Sequence, residues 1–290
     1  MAMFQNPGAF FLGTLVPSEQ KFLKVLLENA RKNGYTKFVE PCAGAFAMSH
    51  LAVQAGFKPS QVEASDVSMF TSIMGYAIAG NPMEELEIHA KGFSDEELLD
   101  PAVAMYAWKY LSTAKNAGKE YFYNFMLDLA SRREEHIKNI REQLERAKAL
   151  LNGMNYRALD MWKHMAEILD DEHCVVIANP PTYTAGFEKY YDTGGMMTWK
   201  EPEYGIFDPA TGLQEFMDMC KNAKCLVLCY EENEPGKTAG VPVFARYGVR
   251  SGVNVYLTSN RPEEAAALAN GKKIARPGES KLNALEGSML

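Results

Sequence analysis

Apolar positions recur along this chain with two periods, and their order outlines its architecture. Ser18 to Lys32 carries the pattern of an amphipathic helix stopped by Asn33-Gly34, and the short apolar run Lys37-Phe-Val-Glu40 reads as a strand. A turn of small residues, Pro41-Cys-Ala-Gly-Ala45, leads into a helical stretch ending near Gly56. Gln61-Val-Glu-Ala-Ser65 repeats the strand pattern, closes on Asp66 and gives way to a helix reaching about Ala79. The succession strand, helix, strand, helix implies parallel strands, because a crossover helix returns the chain to the same end of the sheet.

From Ser94 the pattern changes to long helices. Ser94 to Glu97 fits a capping box and Pro101 suits a first helical turn. Lys119 to Leu151 holds almost no helix breakers, and Ile137, Ile140, Leu144, Ala147 and Leu151 form one apolar stripe. The other faces mix Arg132, Arg133, Lys138, Arg141, Arg146 and Lys148 with Glu134, Glu135, Glu142 and Glu145. That mixture fits a solvated surface first and a DNA-contacting face second.

Alternation returns after Gly153, with a helix near Leu159 to Leu169 and the apolar strand Cys174-Val-Val-Ile-Ala178 running directly into Asn179-Pro-Pro-Thr182. A long loop rich in aromatics and glycine follows, then a helix from Leu213 to Asn222 and a strand from Cys225 to Tyr230. Val241 to Tyr247 and Gly252 to Thr258, joined through Arg250-Ser-Gly252, read as a hairpin. The tail, with Lys272, Lys273, Arg276 and Lys281, is expected to fray. These patterns divide the chain into an α/β domain built from residues 1–92 and 153–290 and a helical insertion over 93–152.

Composition narrows the class. A chain of 290 residues with 47% hydrophobic content is globular and long enough for one core domain with an insertion. No segment approaches the roughly 18 consecutive apolar residues of a membrane span, and the N-terminus lacks the basic start of a secretory signal, so a cytoplasmic location is expected. Five cysteines argue against a disulfide framework. Cys220, Cys225 and Cys229 invite a metal reading, but the even spacing of Cys225 and Cys229 within an apolar run places both on one face of a strand, so buried thiols and no metal are expected. The net charge of -7 requires any contact with nucleic acid to be local or assisted by a partner, since Lys and Arg supply the attraction for phosphates.

Three strand ends carry chemistry. Parallel sheets bind ligands beyond the carboxyl ends of their strands. Gly44 lets the backbone approach a nucleoside or amino-acid group closely, and Asp66, ending the next strand, is placed to accept both hydroxyls of a ribose. Asn179-Pro-Pro-Thr-Tyr183 is the stronger signal. Two prolines at the end of a buried strand stop sheet pairing and stiffen the turn, so that the Asn179 side-chain oxygen and the Pro180 carbonyl can accept hydrogen bonds from an exocyclic amine. Its nitrogen is then aimed at an electrophilic methyl group, with positioning supplying most of the catalysis.

Taken in order, Leu12-Gly-Thr-Leu-Val-Pro17, Phe38-Val-Glu-Pro-Cys-Ala-Gly44, Ala64-Ser-Asp-Val-Ser68 and Val175-Val-Ile-Ala-Asn-Pro-Pro181 resemble the motifs of adenine-N6 DNA methyltransferases with the Dam-type order. The similarity runs from about Gly13 to Leu257 and leaves the insertion unmatched. It implies a Rossmann-like methyltransferase sheet, mostly parallel with a terminal antiparallel hairpin, and S-adenosylmethionine lying across the Gly44 turn and Asp66. Pro17, Glu40 and Cys42 belong to the matched cofactor motifs. Asn179, Pro180 and Pro181 would receive an extruded adenine of DNA, and the insertion would read the target sequence. Asp160 falls where the family often places an acidic residue beside the cofactor's adenine, and it fits equally the N-cap of the following helix.

The chain departs from the family at three positions. Cys42 stands where an aromatic is common, Phe46 where a second glycine is common, and Thr182 where an aromatic normally stacks on the flipped base. Tyr183 or Phe187 would have to supply that stacking, worth about 1–3 kcal/mol per base. The loop aromatics Tyr183, Phe187, Tyr190, Tyr191, Trp199, Tyr204 and Phe207 fit a lid over a base and fit core packing equally, while Lys189, Lys200 and Arg246 fit phosphate contacts or ordinary surface charge. Two rivals follow: a methyltransferase acting on RNA, protein or a small molecule, and a catalytically silent methyltransferase fold that binds a protein partner or a second copy through the insertion.

Overall fold

The computed structural model describes residues 15, 17–181, 192–208, 210–232, 240–250, 253–270 and 283–284. The first half contains α1 (Pro17–Lys32), β1 (Lys37–Pro41), α2 (Ala47–Gln54), β2 (Val62–Asp66) and α3 (Met69–Ala79). The helical segment follows: β3 (His89–Ala90), α4 (Asp95–Leu98), α5 (Pro101–Ala114), α6 (Glu120–Ser131) and α7 (Arg133–Leu151). Then come β4 (Asn155–Ala158), α8 (Met161–Ile168), β5 (Cys174–Ala178), β6 (Met197–Thr198), α9 (Gly212–Cys220), β7 (Leu226–Glu232), β8 (Val243–Arg250), β9 (Val253–Ser259), α10 (Pro262–Leu268) and β10 (Asn283–Ala284).

These strands form an eight-stranded sheet in the order β10-β8-β9-β7-β5-β1-β2-β4 and a small two-stranded sheet, β3-β6. The run from β4 to β7 is parallel, and β9, β8 and β10 join antiparallel. This is the Rossmann-like methyltransferase sheet with its reversed terminal hairpin. All five residues of β5 are buried, which explains why its sequence shows no polar alternation: helices cover both faces. Val175, Ile177, Leu226 and Leu228 face the layer of α1, α2 and α3, whereas Val176, Val227, Cys225 and Cys229 face Met165 of α8 and Phe216 of α9. Cys225 and Cys229 thus share the buried face that their spacing indicates.

The helical segment has no separate core. Ile137, Ile140, Leu144, Ala147 and Leu151 are buried, and they belong to the same continuous cluster as Phe38, Ile73 and Val175. The apolar stripe of α7 therefore faces inward and is not a surface for a partner. Lys119 to Leu151 is two helices instead of one, broken at Arg132 (φ −119°, ψ 30°). At the break the Tyr106 hydroxyl donates to the Leu129 carbonyl at 2.8 Å, and Asp128 engages Arg132 at 3.2 Å and His136 at 3.1 Å. The capping box at Ser94 forms in full, with Glu97 N–H donating to the Ser94 hydroxyl at 3.2 Å and Ser94 N–H to Glu97 at 2.9 Å. Among the described residues, no helix is long and apolar enough to cross a membrane.

Candidate functional site

The chain builds β1, then β2 and β4 on one side, and returns to place β5 and β7 on the other, so the sheet changes direction of growth between β1 and β5. At such a switch point the connections diverge to opposite faces and leave a crevice. Val39 pairs with Val176, and in that register β1 and β5 end at the same level, at Pro41 and Ala178, so the turns that start at Cys42 and Asn179 leave adjacent strands at one edge of the sheet. The glycine turn and the Asn-Pro-Pro turn, separated in sequence by β2, the whole helical segment, β4 and α8, are therefore neighbours.

The turn after β1 is built on three residues in the left-handed region: Cys42 (φ 62°), Gly44 (φ 51°) and Phe46 (φ 60°). Only Gly44 adopts it without steric conflict. The Gly44 amide donates to Asp66 Oδ2 at 2.9 Å, and Asp66 Oδ1 accepts from the Ser68 amide at 2.8 Å. Asp66 is buried; that burial raises its pKa, against the lowering effect of the Gly44 and Ser68 donors. Cys42 Sγ lies 3.5 Å from Met161 Sδ. Burial pushes the Cys42 thiol up, and the carboxylates of Asp66, Asp160 and Glu40 push it further, so it stays protonated. Phe46, in contrast, turns its ring into the core.

Glu40 sits behind the turn. Its carboxylate accepts from the amides of Met48 at 3.0 Å and Ser49 at 2.8 Å and from the Ser49 hydroxyl. Phe46, the N-cap of α2, offers no side-chain cap, so Glu40 caps that helix from the preceding strand. Burial lifts its pKa to about 7, opposed by the Ser49 and Met48 donors. Asp160 is likewise occupied: Oδ1 caps α8 through the amides of Trp162 at 2.8 Å and Lys163 at 3.2 Å, and Oδ2 accepts from the Gly205 amide at 3.0 Å. It joins the start of α8 to the segment that returns from the Asn-Pro-Pro loop.

Asn179 is exposed immediately after the fully buried β5, while Pro180 is buried and Pro181 half-buried. Pro17 opens α1. Tyr183, Phe187, Lys189, Tyr190 and Tyr191 lie outside the described residues. The described loop aromatics divide: Phe207 stacks on Trp162 at 6.2 Å and 16°, Trp199 packs against the core, and Tyr204 is exposed. Lys200 pairs with Glu87 at 2.7 Å, and the Arg246 guanidinium stands 5.9 Å over the Tyr256 ring. The structure adds Ser49, Ser68, Gly205 and Tyr156 to the residues that shape the site. Of these only Ser68 had a readable signal, as the residue two after an aspartate at a strand-to-helix turn.

The sequence model of the family described as Phage DNA Adenine Methylase-like domain 1 matches residues 11–290. No curated protein sequence matches the chain. Two solved structures of the rRNA methyltransferase aviRa from Streptomyces viridochromogenes, at 2.4 Å and 1.5 Å, align with 89% of this chain and 94% of theirs at 12% sequence identity, with a TM-score of 0.39.

Proposed function

The chain belongs to the phage DNA adenine methylase-like family, and on that premise we propose that it transfers a methyl group from S-adenosylmethionine to the N6 amine of adenine in DNA. The observation that carries this reading is the exposed Asn179 at the end of a buried strand, directly across the switch point from the Cys42–Phe46 turn.

The donor set fits the cofactor. A left-handed turn with a glycine at its centre lets the backbone approach closely, and the buried Asp66 carboxylate, already oriented by Gly44 and Ser68, keeps lone pairs for the hydroxyls of a ribose. Pro17 and Cys42 would flank the methionine part, and Asp160 the adenine. Glu40 acts from behind by fixing the start of α2. The bound cofactor supplies an electrophilic methyl on a sulfonium.

Asn179 Oδ1 and the Pro180 carbonyl would accept hydrogen bonds from the two N–H groups of the amine and turn the nitrogen lone pair toward that methyl. Pro180 and Pro181 remove backbone freedom, so these acceptors are in place before the base enters. Asn179 and Pro180 would hold the amine in line while the sulfonium methyl passes to its nitrogen, and the proton that the resulting ammonium loses would go to solvent. Extruding the base costs a few kcal/mol, which contacts to its edge and stacking, with Tyr183 as the candidate ring, must offset.

Transfer of radiolabelled methyl from S-adenosylmethionine to unmodified genomic DNA tests the reading, with Asn179→Ala alongside. Label recovered as N6-methyladenine with the parent alone supports it. The net charge of -7 favours a second reading, methyl transfer to an acceptor other than duplex DNA. Label on RNA, protein or a small molecule but not on DNA would establish that alternative, and cofactor binding without any acceptor would establish a silent binding module.

A further inference from the structure

One side chain touches both cofactor turns. Tyr156, in the edge strand β4, is 1% exposed. Its ring meets Phe46 edge-on, with centroids 5.5 Å apart and planes at 65°. Its hydroxyl donates to the Asp66 carbonyl at 3.5 Å and lies 3.0 Å from Ser72 Oγ. The ring has room because Gly75 of α3 lacks a side chain: a Cβ there would fall 2.5 Å from the Tyr156 ring atoms.

The contacts bear on two positions that need support. Phe46 holds a left-handed backbone that an L residue leaves unless its surroundings over-determine it. The ring of Phe46 is 0% exposed, and Tyr156 forms one wall of its socket. Asp66 ends β2, and its carbonyl accepts from both the Leu159 amide at 3.2 Å and the Tyr156 hydroxyl, so its backbone is fixed from the β4 side. Gly44, two residues before Phe46, meets the carboxylate of that same Asp66.

We propose that Tyr156 is a positioning residue for the cofactor site: it holds Phe46 with its ring and the Asp66 carbonyl with its hydroxyl, and so aligns the Gly44 amide with the Asp66 carboxylate before any ligand arrives. The inference rests on the reading that S-adenosylmethionine binds at this edge of the sheet. Gly75 belongs to the same device, because any larger residue there drives the ring out of its place.

The test compares the full chain with Tyr156→Phe, which removes the hydroxyl and keeps the ring. Tyr35→Phe serves as control; it removes another buried hydroxyl, bonded to Glu264 at 2.5 Å just before β1. Two quantities are read: hydrogen exchange of the Gly44 and Ser68 amides without ligand, and the dissociation constant for S-adenosylmethionine by calorimetry. In Tyr156→Phe, exchange at Gly44 and Ser68 accelerates about tenfold beyond any change in global exchange, and cofactor binding weakens roughly five- to tenfold, the scale of one lost hydrogen bond. Tyr35→Phe changes neither. Unchanged exchange at Gly44 and Ser68 in Tyr156→Phe, or an equal loss in Tyr35→Phe, overturns the proposal. If the parent gives no heat with S-adenosylmethionine, the cofactor reading fails, while the exchange measurement still decides the role of Tyr156. If Tyr156→Phe does not fold, Ser72→Ala, which strips the hydroxyl of one partner, shows the same pattern at smaller amplitude or overturns the proposal by showing none.

Discussion

The Gly44 amide and the Asp66 carboxylate meet at 2.9 Å, joining the turn after the first strand to the end of the second. One oxygen of Asp66 serves the turn and the other the start of α3 through Ser68. The carboxylate is thus a structural tie, and under the proposed function it also offers its charge to a ribose.

Asp66→Asn separates these two duties. The amide keeps one acceptor for Gly44 but loses the charge, and hydrogen bonds to a charged acceptor are worth about 1.5–3 kcal/mol. Affinity for S-adenosylmethionine should fall by roughly tenfold to a hundredfold, with the thermal midpoint shifted by only a few degrees. Calorimetric titration measures the first and a melting curve the second. Undiminished affinity would remove Asp66 from cofactor binding.

Glu40 makes a prediction about pH. Its folded pKa, about 7, lies above the ordinary carboxylate value of 4.5, so the folded state binds the extra proton between those values. The protonated group's contribution to stability is full below 4.5 and is lost as pH rises through about 7. Glu40→Gln sets an amide donor against the amides that cap α2, and an unsatisfied buried group costs about 1–3 kcal/mol. The variant should melt lower than the parent at pH 5, and the gap should narrow toward pH 8. A gap that widens with pH would show that the carboxylate is charged in the folded protein throughout this range.

His164 slopes the other way. It is fully buried on α8, with Nδ1 2.7 Å from Ser65 Oγ and Nε2 3.8 Å from Glu63. Burial lowers its pKa to about 4, the nearby Glu63 opposing. The unfolded chain therefore binds the proton first, and the stability held by the neutral ring is present above about 6.5 and lost as pH falls toward 4. The parent should lose stability through that acid window, and His164→Gln, which cannot titrate, should show a shallower loss. Equal slopes in parent and variant would assign acid sensitivity to other groups.

Much of this arrangement is legible in the sequence, for physical reasons that differ by element. β5 is readable because burial on both faces makes it a continuous apolar run, and Asn179-Pro-Pro181 because prolines forbid the strand to continue. β4 is not, since Asn155-Tyr-Arg-Ala158 lies at the sheet edge and only Tyr156 of its four residues is fully buried. The break at Arg132 is equally hidden, because the contact from Tyr106 to Leu129 is tertiary. Glu40 stands in a recognisable motif, yet its capping of α2 depends on where Met48 and Ser49 fold back. Phe46 resembles a misplaced residue until its ring is seen in the core against Tyr156.

Asn179 gives the sharpest separation of binding from chemistry. Its side chain is exposed and stands outside the cofactor turn, so Asn179→Ala should leave affinity for S-adenosylmethionine within about threefold of the parent. Removing a preorganised hydrogen-bonding group from a transition state costs about 10²–10³ in kcat, and methyl transfer should fall by at least that factor. Asn179→Asp keeps an acceptor oxygen at the same position and should retain measurable turnover. Single-turnover transfer from preloaded cofactor, compared across the three proteins, reads the chemical step directly. If Asn179→Ala weakens cofactor binding as much as it slows transfer, Asn179 is part of the cofactor site, and the hydrogen-bond acceptor for the amine must be sought elsewhere.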